Sequence, residues 1–322
     1  MTSPSIACSG PIGDVAAEIL NPYGEIVVAE DSSEGALLKI LDGAVGLVLR
    51  GDGSGSARVI ESAPDLKVIG RSGVGFDKVD IQTANARKIP VVITPGANSQ
   101  AVAEAALAYM LALCKKMIHW DVQLKQGNWR SRFEQSPGDL EGATVGIVGF
   151  GRIGCRLAQL IRPFGMTVLA CDPFISAEAA GEQGAVLVEL EELLQQSDFV
   201  SIHALLNENT RGLLDRRRLG LMKPGAFLIN LARGAIIESL DALYEALTNG
   251  PLAGAALDVF EPEPPDISHP IFKLDNCLTS PHAICMSKRA MYNSFKMMAE
   301  DMAAVFQGRR PQFVANPEVL AA

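Results

Sequence analysis

Short apolar runs rich in Val, Ile and Leu alternate with stretches of helical period along almost the whole chain. In the first part, runs at 26–29, 45–49, 67–69 and 90–93 read as strands, and the stretches 15–20, 35–41, 57–63 and 81–87 read as helices. Strands and helices in alternation imply a parallel sheet covered by helices, an α/β architecture. The pattern resumes at 143–148 (strand), 155–164 (helix) and 167–170 (strand). It continues with strands at 199–203, 227–230, 253–259 and 277–280 and helices at 189–196, 216–221 and 240–249. That is enough for a second, doubly wound sheet. Two long helical stretches, 99–126 and 287–307, have no strand beside them and read as crossings between two domains. The expected division is therefore discontinuous: 1–98 with 286–322 as one domain, and 99–285 as the other.

The strand at 143–148 runs straight into Gly149-Phe150-Gly151-Arg152-Ile153-Gly154, and the next strand ends at Cys171-Asp172. This is G-x-G-x-x-G in the strand–turn–helix context that gives it meaning. Gly149 permits the tight turn, Gly151 lets backbone approach a pyrophosphate, and Gly154 lets the helix pack close to the strand. The anion would sit on free N–H groups at the helix start, where the dipole favours negative charge. Asp172, about 20 residues on, is placed to accept from a ribose 2′-hydroxyl. No Arg or Lys adjoins it to welcome a 2′-phosphate, so NAD is expected over NADP. A structural glycine turn in some other βαβ unit is the plainer alternative.

Net charge is −9 over 322 residues, which argues against nucleic acid or an anionic membrane as main partner. The most apolar helical segment, 101–114, contains Glu104 and is too short to span a bilayer. The first residues carry neither a basic region nor a long apolar core, so no secretory signal is expected and a cytoplasmic location is the default. Six cysteines are scattered without C-x-x-C or zinc spacing, so free thiols are expected and no metal.

In an open α/β sheet, ligands bind at the carboxyl ends of the strands. In the second domain those ends carry chemistry. The strand 227–230 leads to Leu231-Ala232-Arg233-Gly234, 253–259 contains Asp258 and leads to Glu261-Pro262-Glu263-Pro264, and 277–280 leads to Pro281-His282. An Arg can clamp a carboxylate bidentately. A His can carry a proton, and a carboxylate can fix its tautomer. Singly, each has a bland reading as a surface turn, a solvated loop charge or a structural histidine. Together on successive strands they form an acid–base constellation.

These segments, with Met222–Gly234, Gly254–Pro264, Gly73-Val74-Gly75-Phe76-Asp77 and Gly127-Asn128-Trp129, resemble the D-isomer-specific 2-hydroxyacid dehydrogenases, and more particularly their phosphoglycerate dehydrogenase-like branch. The resemblance implies a flavodoxin-like substrate domain and a Rossmann NAD-binding domain with the active site in a cleft between them. It implies homodimers, a small 2-hydroxy or 2-oxo acid as substrate, and NAD as cofactor. Position by position it implies that Arg233 holds the substrate carboxylate and that Glu263 pairs with the catalytic His282. It places Asp258 near the nicotinamide carboxamide, and puts Arg152, Ile153, Asp172, His203, Ala204, Leu231 and Ala232 at the cofactor. The loop Ser72, Gly73, Val74 and Gly75 would cradle the substrate carboxylate. Arg50 and Arg71 stand where the branch faces a substrate phosphate, which implies 3-phosphoglycerate and 3-phosphohydroxypyruvate. Asp52 beside them would weaken phosphate binding, so hydroxypyruvate or glyoxylate stays open, with the two arginines as surface or interdomain residues. The chain departs from the family at His203-Ala204-Leu205-Leu206, where H-x-P-L is frequent, and at Ala283-Ile284-Cys285-Met286, where small residues are common. Relatives that only sense NAD(H) make a binding protein the alternative of a different class. Glu263, where formate dehydrogenases carry glutamine, speaks against that branch.

Overall fold

The computed structural model describes residues 3–320. The chain divides into two compact units, Met1–Asn98 with Met286–Ala322 (unit 1) and Ser99–Cys285 (unit 2). Among its described residues unit 1 holds five parallel strands: β1 Ser5–Cys8, β2 Glu25–Val28, β3 Ala44–Leu49, β4 Val68–Arg71 and β5 Val91–Val92. Their order is β2-β1-β3-β4-β5, the flavodoxin-like winding. Unit 2 holds β6 Thr144–Val148, β7 Thr167–Cys171, β8 Val186–Leu187, β9 Phe199–Ile202, β10 Phe227–Asn230, β11 Gly254–Leu257 and β12 Cys277–Thr279. All seven are parallel, in the order β12-β11-β10-β9-β6-β7-β8. The winding runs outward in both directions from the β6/β9 pair, as in a Rossmann sheet. The fold class read from the sequence is the one observed.

The sheet interiors are near-continuous apolar runs because both faces are covered. Helix starts are fixed by side chains that accept orphan N–H groups: Ser33 from Ala36, Ser56 from Val59, Asp80 from Thr83, Ser239 from Ala242 and Ser287 from Ala290. The long helix Lys288–Phe306 lies so close on unit 1's sheet that a Cβ on Gly70 would come within 2.4 Å of Met302 Sδ.

Several elements differ from the sequence pattern, among them the helix Ala177–Glu182, which the pattern does not mark. Strand β1 was not anticipated, yet it is fully buried between β2 and β3. The short edge strand β8 was also missed. The stretch 99–126, expected as one helix, is two, Ser99–Cys114 and Met117–Lys125, because Lys116 adopts a left-handed conformation (φ 51°) that no continuous α-helix accepts. Asp258 and His203 lie one residue past their strands rather than inside them.

The C-terminal residues are stitched to the β5 edge. Buried Asp301 accepts from the N–H groups of Gln312 (2.8 Å) and Phe313 (2.9 Å). Val314 bridges antiparallel to Val92. Fully buried Asn316 accepts from Val91 N–H at 2.8 Å and donates to Ile89 O at 2.9 Å and Asn85 Oδ1 at 2.8 Å. Truncating Asn316 strands a buried N–H and two acceptors. Asn316→Ala should therefore destabilise unit 1 by about 3 kcal/mol, seen as a lower urea midpoint and faster hydrogen exchange at the Val91 amide. An unchanged midpoint would contradict this account.

Candidate active site

The loop from β6 into the helix Arg152–Ile161 is shaped by close contacts. Gly149 has φ 89°, and a Cβ there would lie 2.5 Å from Ala204 N, just beyond β9. A Cβ on Gly154 would lie 2.5 Å from Gly149 O. Both glycines are demanded by the protein's own packing. Gly151, the N-cap, differs: a Cβ there would meet nothing within 4 Å. Its side-chain-free surface leaves the helix N-terminus open to an approaching anion, and no side chain caps that helix start. Arg152 and Ile153 are its first helical residues, Arg152 exposed and Ile153 half-buried. Past β7, Asp172 accepts from Phe150 N–H (2.8 Å) and Phe174 N–H (2.9 Å), one bond to each carboxylate oxygen. Each oxygen retains acceptor capacity for a hydroxyl, and the fixed negative charge opposes a 2′-phosphate. These residues fit NAD.

His203 follows β9. Its Nε2 lies 2.9 Å from the buried Ser201 Oγ, while Nδ1 is enclosed and unpartnered. An orphaned lone pair costs less than an orphaned N–H, so Nε2 carries the proton and donates to Ser201. Burial pushes the imidazole down to about 4.

The turn after β10 is held by Asn230, which is fully buried. Its Oδ1 accepts from Ala232 N–H (3.1 Å) and its Nδ2 donates to Arg233 O (2.9 Å). Leu231, Ala232 and Arg233 are thereby fixed as a half-buried turn, and Arg233 Nη1 donates to Ala232 O at 2.8 Å. Gly234 is required because a Cβ would fall 2.1 Å from the carbonyl carbon of Phe260. Sequence reasoning missed Asn230, although a lone amide closing the apolar strand Phe-Leu-Ile-Asn was the available signal.

Glu263 and His282 meet: His282 Nδ1 is 3.0 Å from both Glu263 oxygens. Glu263 Oε1 also accepts from Phe260 N–H at 3.1 Å. With Nδ1–H donating to the carboxylate, Nε2 is the nitrogen that can exchange a proton. His282 sits at φ 52°, a strained conformation for a non-glycine residue. The strain is held by Asp258, only 2% exposed, whose Oδ1 accepts from Ser280 Oγ, Ala283 N–H (2.9 Å) and Ile284 N–H (3.3 Å).

In unit 1, Arg71 is 8% exposed and donates to the carbonyls of Gly75 (3.0 Å), Gly53 (3.3 Å) and Gly51 (3.4 Å). It ties the Ser72–Gly75 loop to the 51–53 turn. Ser72, Gly73, Val74 and Gly75 are half-buried, and Gly73 O accepts from Thr94 N–H at 3.1 Å. Arg50 donates to Pro11 O at 2.6 Å and lies over the Phe295 ring at 5.4 Å. Asp52 pairs with Lys78 at 3.0 Å, which offsets the negative charge weighed against a phosphate. The sequence reading did not include Lys78.

Unit 2 thus joins a glycine-turn dinucleotide fold to a histidine–glutamate pair at its strand ends. Residues 107–283 match the family model for the D-isomer specific 2-hydroxyacid dehydrogenase, NAD binding domain. The D-3-phosphoglycerate dehydrogenase of Archaeoglobus fulgidus is 38% identical over 300 residues, 92% of this chain and 56% of the relative. The hydroxypyruvate reductase of Thermotoga maritima is 37% identical over 275 residues, 84% of this chain and 88% of the relative. A crystal structure of D-lactate dehydrogenase from Aquifex aeolicus, complexed with NAD and lactic acid, superposes with a TM-score of 0.85 at 28% identity, covering 94% of this chain and 96% of that one. The chain belongs to the D-isomer specific 2-hydroxyacid dehydrogenase family. It spans somewhat over half the length of the archaeal phosphoglycerate dehydrogenases it matches, 56% and 59%.

The neutral His203 makes a prediction. Between the ordinary value of 6.5 and about 4, the unfolded chain takes up a proton that the folded one refuses, so stability is full above pH 6.5 and falls as pH falls. The loss approaches roughly 3 kcal/mol near pH 4. Urea unfolding of wild type and His203→Gln across pH 4–7 should show a shallower acid slope in the variant; parallel slopes would refute the assignment.

Proposed function

We propose that the chain is an NAD-dependent oxidoreductase acting between a D-2-hydroxy acid and its 2-oxo acid. The observation that carries this reading is the His282–Glu263 pair at the strand ends of a domain whose glycine turn and Asp172 suit NAD. Arg233 would bind the substrate carboxylate, supported by the N–H groups of Ser72, Gly73, Val74 and Gly75. His282 Nε2 would take the C2 hydroxyl proton on oxidation and return it on reduction, while Glu263 keeps Nδ1 protonated and stabilises the imidazolium. The nicotinamide, when bound, supplies or accepts the hydride. Gly149, Gly151, Arg152, Ile153, Gly154, Asp172, His203, Ala204, Leu231, Ala232 and Asp258 would line the cofactor.

For substrate, the reading favours 3-phosphoglycerate and 3-phosphohydroxypyruvate. Relatives of 38% identity carry that activity in their names, and Arg50 with the Lys78-compensated Asp52 gives the 50–52 turn no net negative charge. One observation favours unphosphorylated hydroxypyruvate or glyoxylate instead: the Arg71 guanidinium already serves three backbone carbonyls, so it braces the turn. In the phosphorylated reading Arg50 and Arg71 are both phosphate contacts; in the other, Arg71 serves only to brace the turn.

NADH oxidation with 3-phosphohydroxypyruvate, hydroxypyruvate and glyoxylate side by side tests both readings. A preference for the phosphorylated acid that Arg50→Gln abolishes is expected; equal rates on all three would remove the phosphate site. His282→Ala should lower turnover by at least about a hundredfold while keeping NADH affinity. Turnover retained in that variant would sink the acid–base assignment, and NADH binding without turnover in the wild type would make the protein a cofactor-sensing binder.

A cytoplasmic homodimer completes the proposal. The six cysteines are free, and no helix among the described residues is long and apolar enough to cross a membrane. Unit 2 exposes Met117, Ile118, Leu124, Trp129 and Phe133 within one short stretch of chain, large apolar side chains that a second subunit would cover. Analytical ultracentrifugation should return twice the 34.2 kDa chain mass; a monomer at micromolar concentration would withdraw the dimer.

A further inference from the structure

Three hydroxyl or carboxylate groups from separate elements of unit 2 form one chain of hydrogen bonds behind His282. Tyr109, on the helix Ser99–Cys114, has its hydroxyl 2.6 Å from Ser280 Oγ. Ser280, one residue past β12, has its hydroxyl on Asp258 Oδ1. Asp258, one residue past β11, also accepts from Ala283 and Ile284 N–H. The direction of the chain follows from proton inventory. A carboxylate can only accept, so the single Ser280 proton points at Asp258. Ser280 Oγ must then accept from Tyr109, and Tyr109 must be protonated. Burial of the phenol, only 7% exposed, and the nearby Asp258 charge both hold its ionisation above the ordinary value, in keeping with a permanent donor.

We infer that Tyr109 and Ser280 are positioning residues for the His282–Glu263 pair, acting through Asp258. The carboxylate caps the 283–284 turn and thereby holds His282 at positive φ. Tyr109 polarises Ser280, and Ser280 keeps Asp258 Oδ1 turned toward that turn. Tyr109 lies 171 residues from Ser280 in sequence, and its hydroxyl has no other hydrogen bond among the described contacts. This inference rests on the proposed dehydrogenase reading for its kinetic consequence. The alignment itself does not depend on it.

Tyr109→Phe removes one oxygen from an otherwise isosteric ring, and Ser280→Ala removes the next link. Each should lower kcat for the preferred 2-oxo acid by about tenfold while leaving the NADH dissociation constant within about twofold, since a small misplacement of a proton donor is felt in the chemical step. Ser280→Thr, which keeps the hydroxyl, should restore kcat. Unchanged kcat in both deletion variants would overturn the inference. So would equal losses of turnover and NADH binding, because the effect would then be general. The His282 Nδ1–H proton resonance gives a readout independent of turnover. It should be sharp and downfield in the wild type and should broaden or move in Tyr109→Phe; an unmoved resonance overturns the alignment. A wild type that reduces no 2-oxo acid defeats only the functional reading, and the resonance still decides this one.

Discussion

The most demanding group in unit 2 is the carboxylate of Asp258, a negative charge with 2% of its surface in contact with solvent. A charge so buried costs several kcal/mol unless donors surround it. The donors are a hydroxyl and two consecutive backbone N–H groups. Two N–H groups from adjacent residues can point at one oxygen only if the chain turns sharply just before them. The residue at that turn is His282, held at a φ that would otherwise be disfavoured by about 1–2 kcal/mol. Charge-assisted hydrogen bonds of roughly 1.5–3 kcal/mol each are ample to hold it. Local strain and the buried charge therefore explain each other.

The same end of the sheet is assembled by backbone touching backbone. Gly149 abuts the chain at Ala204, Gly154 abuts Gly149, and Gly234 abuts Phe260, each at a spacing that excludes any side chain. Loops from β6, β9, β10 and β11 thereby converge into one rigid surface. Gly151 is the exception, with open space where its side chain would be. That open position leaves the start of the helix Arg152–Ile161 uncovered by any side chain.

Much of this was legible in the residues. Apolar runs gave most strands, and the glycine turn, the acid after β7 and the histidine after β12 stood in order. What escaped had physical causes. Strand β1 is four residues long, Ser-Ile-Ala-Cys, too short for a period to declare itself. The break at Lys116 needs a left-handed residue that lysine does not advertise. Arg71 could be placed at a strand end, but no local pattern tells that its guanidinium reaches the carbonyls of Gly75, Gly51 and Gly53. Tyr109 read as one more apolar helix position. Its hydroxyl acquires meaning only through Ser280, which no local pattern connects to it.

Unit 1 is written in two pieces, and the order of synthesis gives this weight. When residue 98 leaves the ribosome, β5 has no Asn316 for the Val91 amide, and the sheet face at Gly46 and Gly70 has no helix Lys288–Phe306 upon it. All of unit 2, continuous from Ser99 to Cys285, emerges before either arrives. The nascent chain thus carries an unfinished apolar sheet throughout the translation of 187 intervening residues. At elongation rates of roughly 5–20 residues per second, that is an interval of about ten to forty seconds. The segment that begins at Met286 is the latch that ends the exposure.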